Sequence, residues 1–255
     1  MRSILDNPAL VFLISFLILW LSVRLGTTVA SKRPPALEAE RDDLGVILGA
    51  TLTLLGLIIG FTFSMAISRY DQRKNLEEAE ANAIGTEFVR ADVLPAADAA
   101  KVRALLKSYL DQRVLFYNTR GTDQLRQVNA ATSQLQNDLW TAVRAPAQAQ
   151  PTPISALAMQ GMNDVLNSQG YTQAAWWNRI PTAAWMLMAA ISICSNLLVG
   201  FYAYHLKGKG LLALVLPLVL SISFLLIADI DSPRGGIIRV RPQNLISLAQ
   251  SLPAN

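Results

Sequence analysis

Residues 44–68, LGVILGATLTLLGLIIGFTFSMAIS, run for 25 positions without a charged side chain. About 20 apolar residues cross a hydrocarbon core of roughly 30 Å, so this run predicts a membrane-spanning helix. Three further stretches, 8–24, 181–204 and 211–230, also have the length and apolarity for spanning. Composition agrees: 52% of the 255 residues are hydrophobic and 16% are charged, where a soluble domain carries about 25% charged residues. The first stretch also has the outline of a secretory signal, with Arg2 before it and Thr28 and Ala30 as a loose cleavage pattern. Arg24 stands between the run and that cut, which favours the spanning reading.

The four stretches arrange the chain as two hairpins around a polar insert. The expected architecture is an all-α membrane protein with four transmembrane helices. An N-terminal transmembrane hairpin (1–68) precedes a helical, cytosolic domain (69–180); a C-terminal hairpin (181–230) and a tail (231–255) follow. Pro34 and Pro35 lie in the first hairpin loop and HLKGKG, 205–210, forms the second. Within the insert the apolar positions recur at helical spacing. Val102, Leu105, Leu106, Tyr109 and Leu110 mark one amphipathic helix, and Leu125, Val128, Thr132, Leu135, Leu139 and Val143 mark another. Pro95 and Gly121 punctuate these segments; APAQAQPTP, 145–153, reads as an extended linker before a shorter helix at 154–168. Basic residues near the span ends number eight on the side of the insert and both termini, against six on the other, which puts the insert and termini in the cytoplasm.

Several function classes are excluded by composition. A single cysteine, Cys194, and a single histidine, His205, provide neither a disulfide nor a typical zinc site. The net charge of +4 is spread along the chain and leaves no nucleic-acid footprint. Asp71, Glu77, Glu78, Glu80, Glu87 and Asp92 are rich in carboxylates, but the Glu-x-x-His motif of a di-iron bundle is missing. Arg73 with Glu77, Lys74 with Glu78 and Glu87 with Arg90 instead have the spacing of ion pairs on a solvated helix. No phosphate loop, nucleophile elbow or His-Glu metal motif occurs, so neither an enzyme nor a cofactor is expected.

The second span is more distinctive. Gly45, Gly49, Gly56, Gly60 and Ser64 place small residues along one side, the pattern of a helix-packing face. Offset from them, Thr53, Leu57 and Phe61 stack at intervals of four. Such a stripe serves either as lipid-facing or core filler, or as an apolar constriction in a pore gated by wetting. Ser195 and Asn196 suit hydrogen bonds to a neighbouring helix. Asp229 and Asp231 suit interfacial solvation or pairing with Arg234, His205 suits a membrane edge, and Trp176, Trp177 and Trp185 suit an aromatic belt.

At these residues the chain resembles a known family. LGLIIGFTFSMAISRYDQR looks like the second membrane helix of bestrophins, in which a Gly-Phe pair leads through an apolar turn to an Arg-aromatic pair and a charged helix. SRYDQR (68–73), EANAIGTEFVRADVLP (80–95) and DIDSPRGGIIRV (229–240) resemble more closely the bestrophin-like proteins of bacteria and plants. The resemblance implies a homo-oligomeric, pentameric channel in the lipid bilayer, passing small inorganic ions such as chloride. A bacterial inner membrane is its expected location. It also implies that Thr53, Leu57 and Phe61 line the neck, with Arg69, Tyr70, Asp71 and Arg73 at its exit. The acidic calcium clasp of animal bestrophins has no counterpart, so calcium gating is not expected, and Thr53 is smaller and more polar than the family's residue there. The alternative is a non-conducting membrane scaffold or sensor whose cytosolic helices bind a partner.

Overall fold

The computed structural model describes residues 5–32, 38–205 and 212–253, and the described residues contain helices and turns with no strand. Residues 33–37, with Pro34 and Pro35, and 206–211, with Lys207 to Gly210, lie outside the described residues, as does the side chain of His205.

Helix α1 spans Pro8–Ser31; Asn7 caps it by accepting the Leu10 amide at 3.3 Å, and Pro8 opens it without wasting a backbone donor. Helix α2 spans Glu38–Arg90, 53 residues without a break, or about 80 Å at 1.5 Å per residue. It ends in a 3₁₀ turn, Ala91–Val93, and Pro95 then holds Leu94 in an extended conformation. There follow α3 (Ala96–Asn118), α4 (Thr122–Ala149), α5 (Pro153–Trp177), α6 (Thr182–His205), α7 (Val215–Asp231) and α8 (Gln243–Ser251).

Two compact units result, one from residues 1–69 and 179–239 and the other from 70–178 and 240–255. In the first, α1 packs on α6 and α7. A reciprocal pair of glycines sets the α1–α6 approach. A Cβ at Gly26 would overlap the carbonyl of Leu197, and one at Gly200 would overlap the carbonyl of Val23. Only backbone fits against backbone there, as at close helix crossings in membranes. Leu19, Leu55 and Leu220 form one buried cluster in this unit. Large apolar side chains instead point outward, among them Leu13, Leu17, Leu25, Ile47, Met186 and Val219. This inversion suits a bilayer and not water.

Three described stretches are long and apolar enough to cross a membrane: Pro8–Ser31, Asp43–Val93 and Pro153–Tyr204. The fourth predicted stretch, 211–230, folds as a 3₁₀ turn at Leu212–Leu214 followed by the 17 residues of α7, about 25 Å of α-helix.

The second unit has an ordinary core. Val102, Leu106, Tyr109 and Leu110 of α3 and Val128, Leu139 and Val143 of α4 are buried as their spacing predicts, with Leu105, Leu125 and Leu135 packed at the edges. The predicted linker at 145–153 is corrected: α4 continues through Ala149 with Pro146 inside it. Four alanines among 142–149 favour helix, and burial of Ala142, Val143, Pro146 and Ala147 offsets the backbone bond that the proline removes. Only 150–152 break the helices. A capping box between Thr152 and Ser155, with Pro153 between them, starts α5. That helix runs to Trp177, nine residues beyond the predicted end at 168. Thr172, Ala175 and Trp176 extend its buried face.

Candidate functional site

At 100° per residue, Thr53, Leu57 and Phe61 share one side of α2 with Gly49, Gly60 and Ser64. Leu55, Thr62 and Ala66, the buried residues of this segment, fall on the opposite side. Leu57 is 55% exposed and Phe61 65%, and Thr53 and Ser64 are exposed as well. Among the described residues nothing lies within 4 Å of where a Cβ would stand on Gly49, Gly56 or Gly60, so these glycines pack against none of them. Thr53 donates its hydroxyl to the Gly49 carbonyl at 2.8 Å. Its one polar group is therefore met inside the helix, and the position is less polar than its residue type suggests.

The expected exit residues are held differently from one another. Arg69 Nη1 lies 3.9 Å from Asp231 Oδ1. Tyr70 packs against the core of the second unit, Arg73 is 1% exposed, and Asp71 is exposed.

Beyond them the reading of a solvated, ion-paired face is corrected, because Glu77, Glu80 and Glu87 are each at most 1% exposed. Glu77 accepts the backbone amides of Asn244 at 2.9 Å and Leu245 at 3.0 Å, and the Asn244 side chain at 2.6 Å. Helix α8 has Pro242 as its N-cap residue, with no side-chain cap hydrogen bond, so Glu77 supplies the negative charge that its free amides and positive dipole end favour. Glu80 accepts from Arg113 Nε, and also from Arg113 Nη2 at 3.4 Å, Tyr117 Oη at 3.3 Å and Thr172 Oγ1 at 3.2 Å. Burial lowers the Arg113 pKa and Glu80 beside it more than compensates, leaving it raised; burial and the same carboxylate push the Tyr117 hydroxyl up. No signal in one sequence separates this arrangement from surface pairs, since the partners at 113, 172 and 244 are distant along the chain.

In the DIDSPRGG segment the reading of interfacial solvation for Asp229 and Asp231 is corrected by their burial. Asp229 is 4% exposed and Asp231 2%. Asp229 accepts the amides of Ile237 at 2.8 Å and Ile238 at 2.7 Å, which folds the segment after α7 back on itself. Gly235 and Gly236 are required there, because a Cβ on either would overlap the Asp6 or the Asp229 carbonyl. Asp231 accepts Arg179 Nε at 2.9 Å and the Ile180 amide at 3.1 Å, while Arg179 Nη1 reaches Asp6 at 2.8 Å.

Asn196 donates to Ser192 of its own helix at 2.8 Å and not to a neighbouring helix. The tryptophans do not act alike: Trp176 is buried against Phe116, with ring centroids 4.9 Å apart, Trp185 is buried against Phe224 at 6.3 Å, and Trp177 is 72% exposed. Among the described residues no three His, Cys, Asp or Glu side chains gather at metal-binding spacing.

Long helices and an inverted apolar surface define an all-helical membrane protein. The model of the Bestrophin-like domain matches residues 9–245, and the chain belongs to that family. Its fold is that of a bacterial bestrophin homologue from Klebsiella pneumoniae, whose crystal structure superposes with a TM-score of 0.62 at 16% identity, over 95% of this chain and 98% of that one. A point variant of that homologue gives a TM-score of 0.64 at 14% identity, over 94% and 96%. Among curated proteins there is no match.

Proposed function

We propose that this protein is an ion channel built from several copies of the chain, with α2 of each copy facing a shared axis. The observation that carries the reading is the exposure of α2. Its most apolar 18-residue window has a mean hydropathy of 2.3, the highest of the three stretches, yet 6% of it is buried inside the chain against 28% and 33% for the others. Lipid could cover such a helix, but lipid does not call for glycines at 49, 56 and 60, which leave backbone bare for another helix to approach. In this arrangement Gly49, Gly56, Gly60 and Ser64 admit the neighbouring copy, and Thr53, Leu57 and Phe61 form an apolar neck gated by wetting. Arg69, Tyr70, Asp71 and Arg73 follow at its end.

The reading carries with it four spans in two hairpins, 8–24 with 44–68 and 181–204 with 211–230. The helical domain at 69–180, both termini and the tail at 231–255 lie in the cytoplasm, the assembly is a pentamer, and small anions such as chloride pass. Pentamer and anion follow from the likeness to bestrophins. Purified protein in liposomes tests the proposal. Chloride and potassium flux is measured for wild type and Phe61→Ala, and flux that rises several-fold in the variant supports a neck at Phe61. No flux from either protein across pH and voltage favours the scaffold reading.

A further inference from the structure

Of the three buried glutamates on α2, Glu77 and Glu80 have their charge met by donors, and Glu87 does not. Its side chain is 0% exposed, and neither carboxyl oxygen has a hydrogen-bond partner. The carboxyl lies against Gly161 in the middle of α5, where a Cβ would overlap Oε2 and stand 2.8 Å from Arg90 Nη1. Glycine weakens a helix interior, and here it leaves the notch that admits the carboxyl. The charged groups facing the site are Arg90 on α2 itself and Asp164 on α5. Arg103 on α3 is committed elsewhere, donating to the Phe88 carbonyl at 3.2 Å and pairing with Asp92. Glu80, two turns earlier, is taken by Arg113. No ion pair joins Arg90 to Glu87 among the described residues.

We propose that Glu87 is a proton-binding site that locks α2 to α5: the neutral carboxyl fills the notch at Gly161, and its ionisation loosens that contact. Burial without a donor favours the neutral form. It pushes the pKa from 4.5 to about 8, with Arg90 opposing and Asp164 adding to the rise. The proton is therefore held at neutral pH and released in mildly alkaline solution. Because the folded value lies above the unfolded one, folding takes up a proton between the two. The stability this gives is complete below about 4.5, declines across the window and is lost above about 8. The claim concerns packing within the second unit and does not rest on ion conduction.

The full chain in detergent or nanodiscs tests it by pH-difference infrared spectroscopy together with thermal unfolding followed by tryptophan fluorescence. Wild type should show the band of a protonated carboxyl at about pH 6 that disappears with a midpoint near 8, and Glu87→Gln should lack it. Between those limits the pH slope of wild-type stability should exceed that of Glu87→Gln by about one proton per chain. Where Glu87→Gln does not yield folded protein, Glu87→Met, close in volume and uncharged, serves the comparison. A wild-type spectrum without a protonated carboxyl at pH 6, a band that survives in the variant, or parallel pH–stability curves would each overturn the proposal.

Discussion

Glu80 and Arg113 form an ion pair with both side chains at 0% exposure, and Tyr117, Thr172 and the Phe116 ring, 4.4 Å from the guanidinium, close around it. Such a pair specifies a partner more than it adds stability, because desolvation offsets most of the attraction. Removing one member is costly all the same, since the other is left charged and buried. Glu80→Ala and Arg113→Met should each destabilise the second unit by about 3–5 kcal/mol, read from chemical unfolding. Glu80→Leu combined with Arg113→Met should recover most of that loss. A double variant no better than the worse single one would contradict the account.

Glu77 holds α8 by its first amides. Glu77→Ala should release residues 243–251 without unfolding α2, at a cost of about 1–3 kcal/mol for the lost carboxylate contacts. Limited proteolysis should then cut within the released segment several-fold faster than in wild type. Glu77→Gln, which keeps an acceptor but no charge, should fall between the two.

The glycines of the first unit divide by what surrounds them. Gly200→Leu should destabilise the α1–α6 contact by about 2–3 kcal/mol or more, because its side chain would enter the backbone of Val23. Gly60→Leu has open space around it within the chain and should leave the thermal midpoint of the dissociated chain unchanged. In the proposed assembly it should instead lower the fraction of oligomer seen by light scattering.

How much of this is legible in the sequence depends on how local the cause is. Helix type, the periodic cores of α3 and α4 and the apolar character of α2 follow from side chains three or four apart, and the spacing of Val102, Leu106 and Leu110 is enough to place them inside. The motif at 80–95 and the Gly-Phe pair at 60–61 carry the family. What cannot be read are facts set by distant partners: Glu80 reads as one carboxylate of a solvated helix because Arg113 and Thr172 come from other helices. Pro146 looks like a break because the burial that keeps α4 intact is tertiary. Gly26 and Gly200 draw no notice, each lacking a second glycine in its own helix to make a pattern. The stripe at 53, 57 and 61 emerges from spacing, while what it faces is decided beyond a single chain.

The most direct measurement of the central claim uses Leu57→Cys in a Cys194→Ser background, which removes the one native cysteine. Chloride flux from liposomes is recorded before and after a charged, membrane-impermeant thiol reagent that attaches through a disulfide, with labelling followed by mass. Placement of Leu57 on a shared water-filled path predicts that the reagent labels the introduced thiol and cuts flux at least several-fold, with flux returning on reduction. Labelling of that thiol with flux unchanged would contradict the placement, and so would flux in a protein whose position 57 the reagent never reaches.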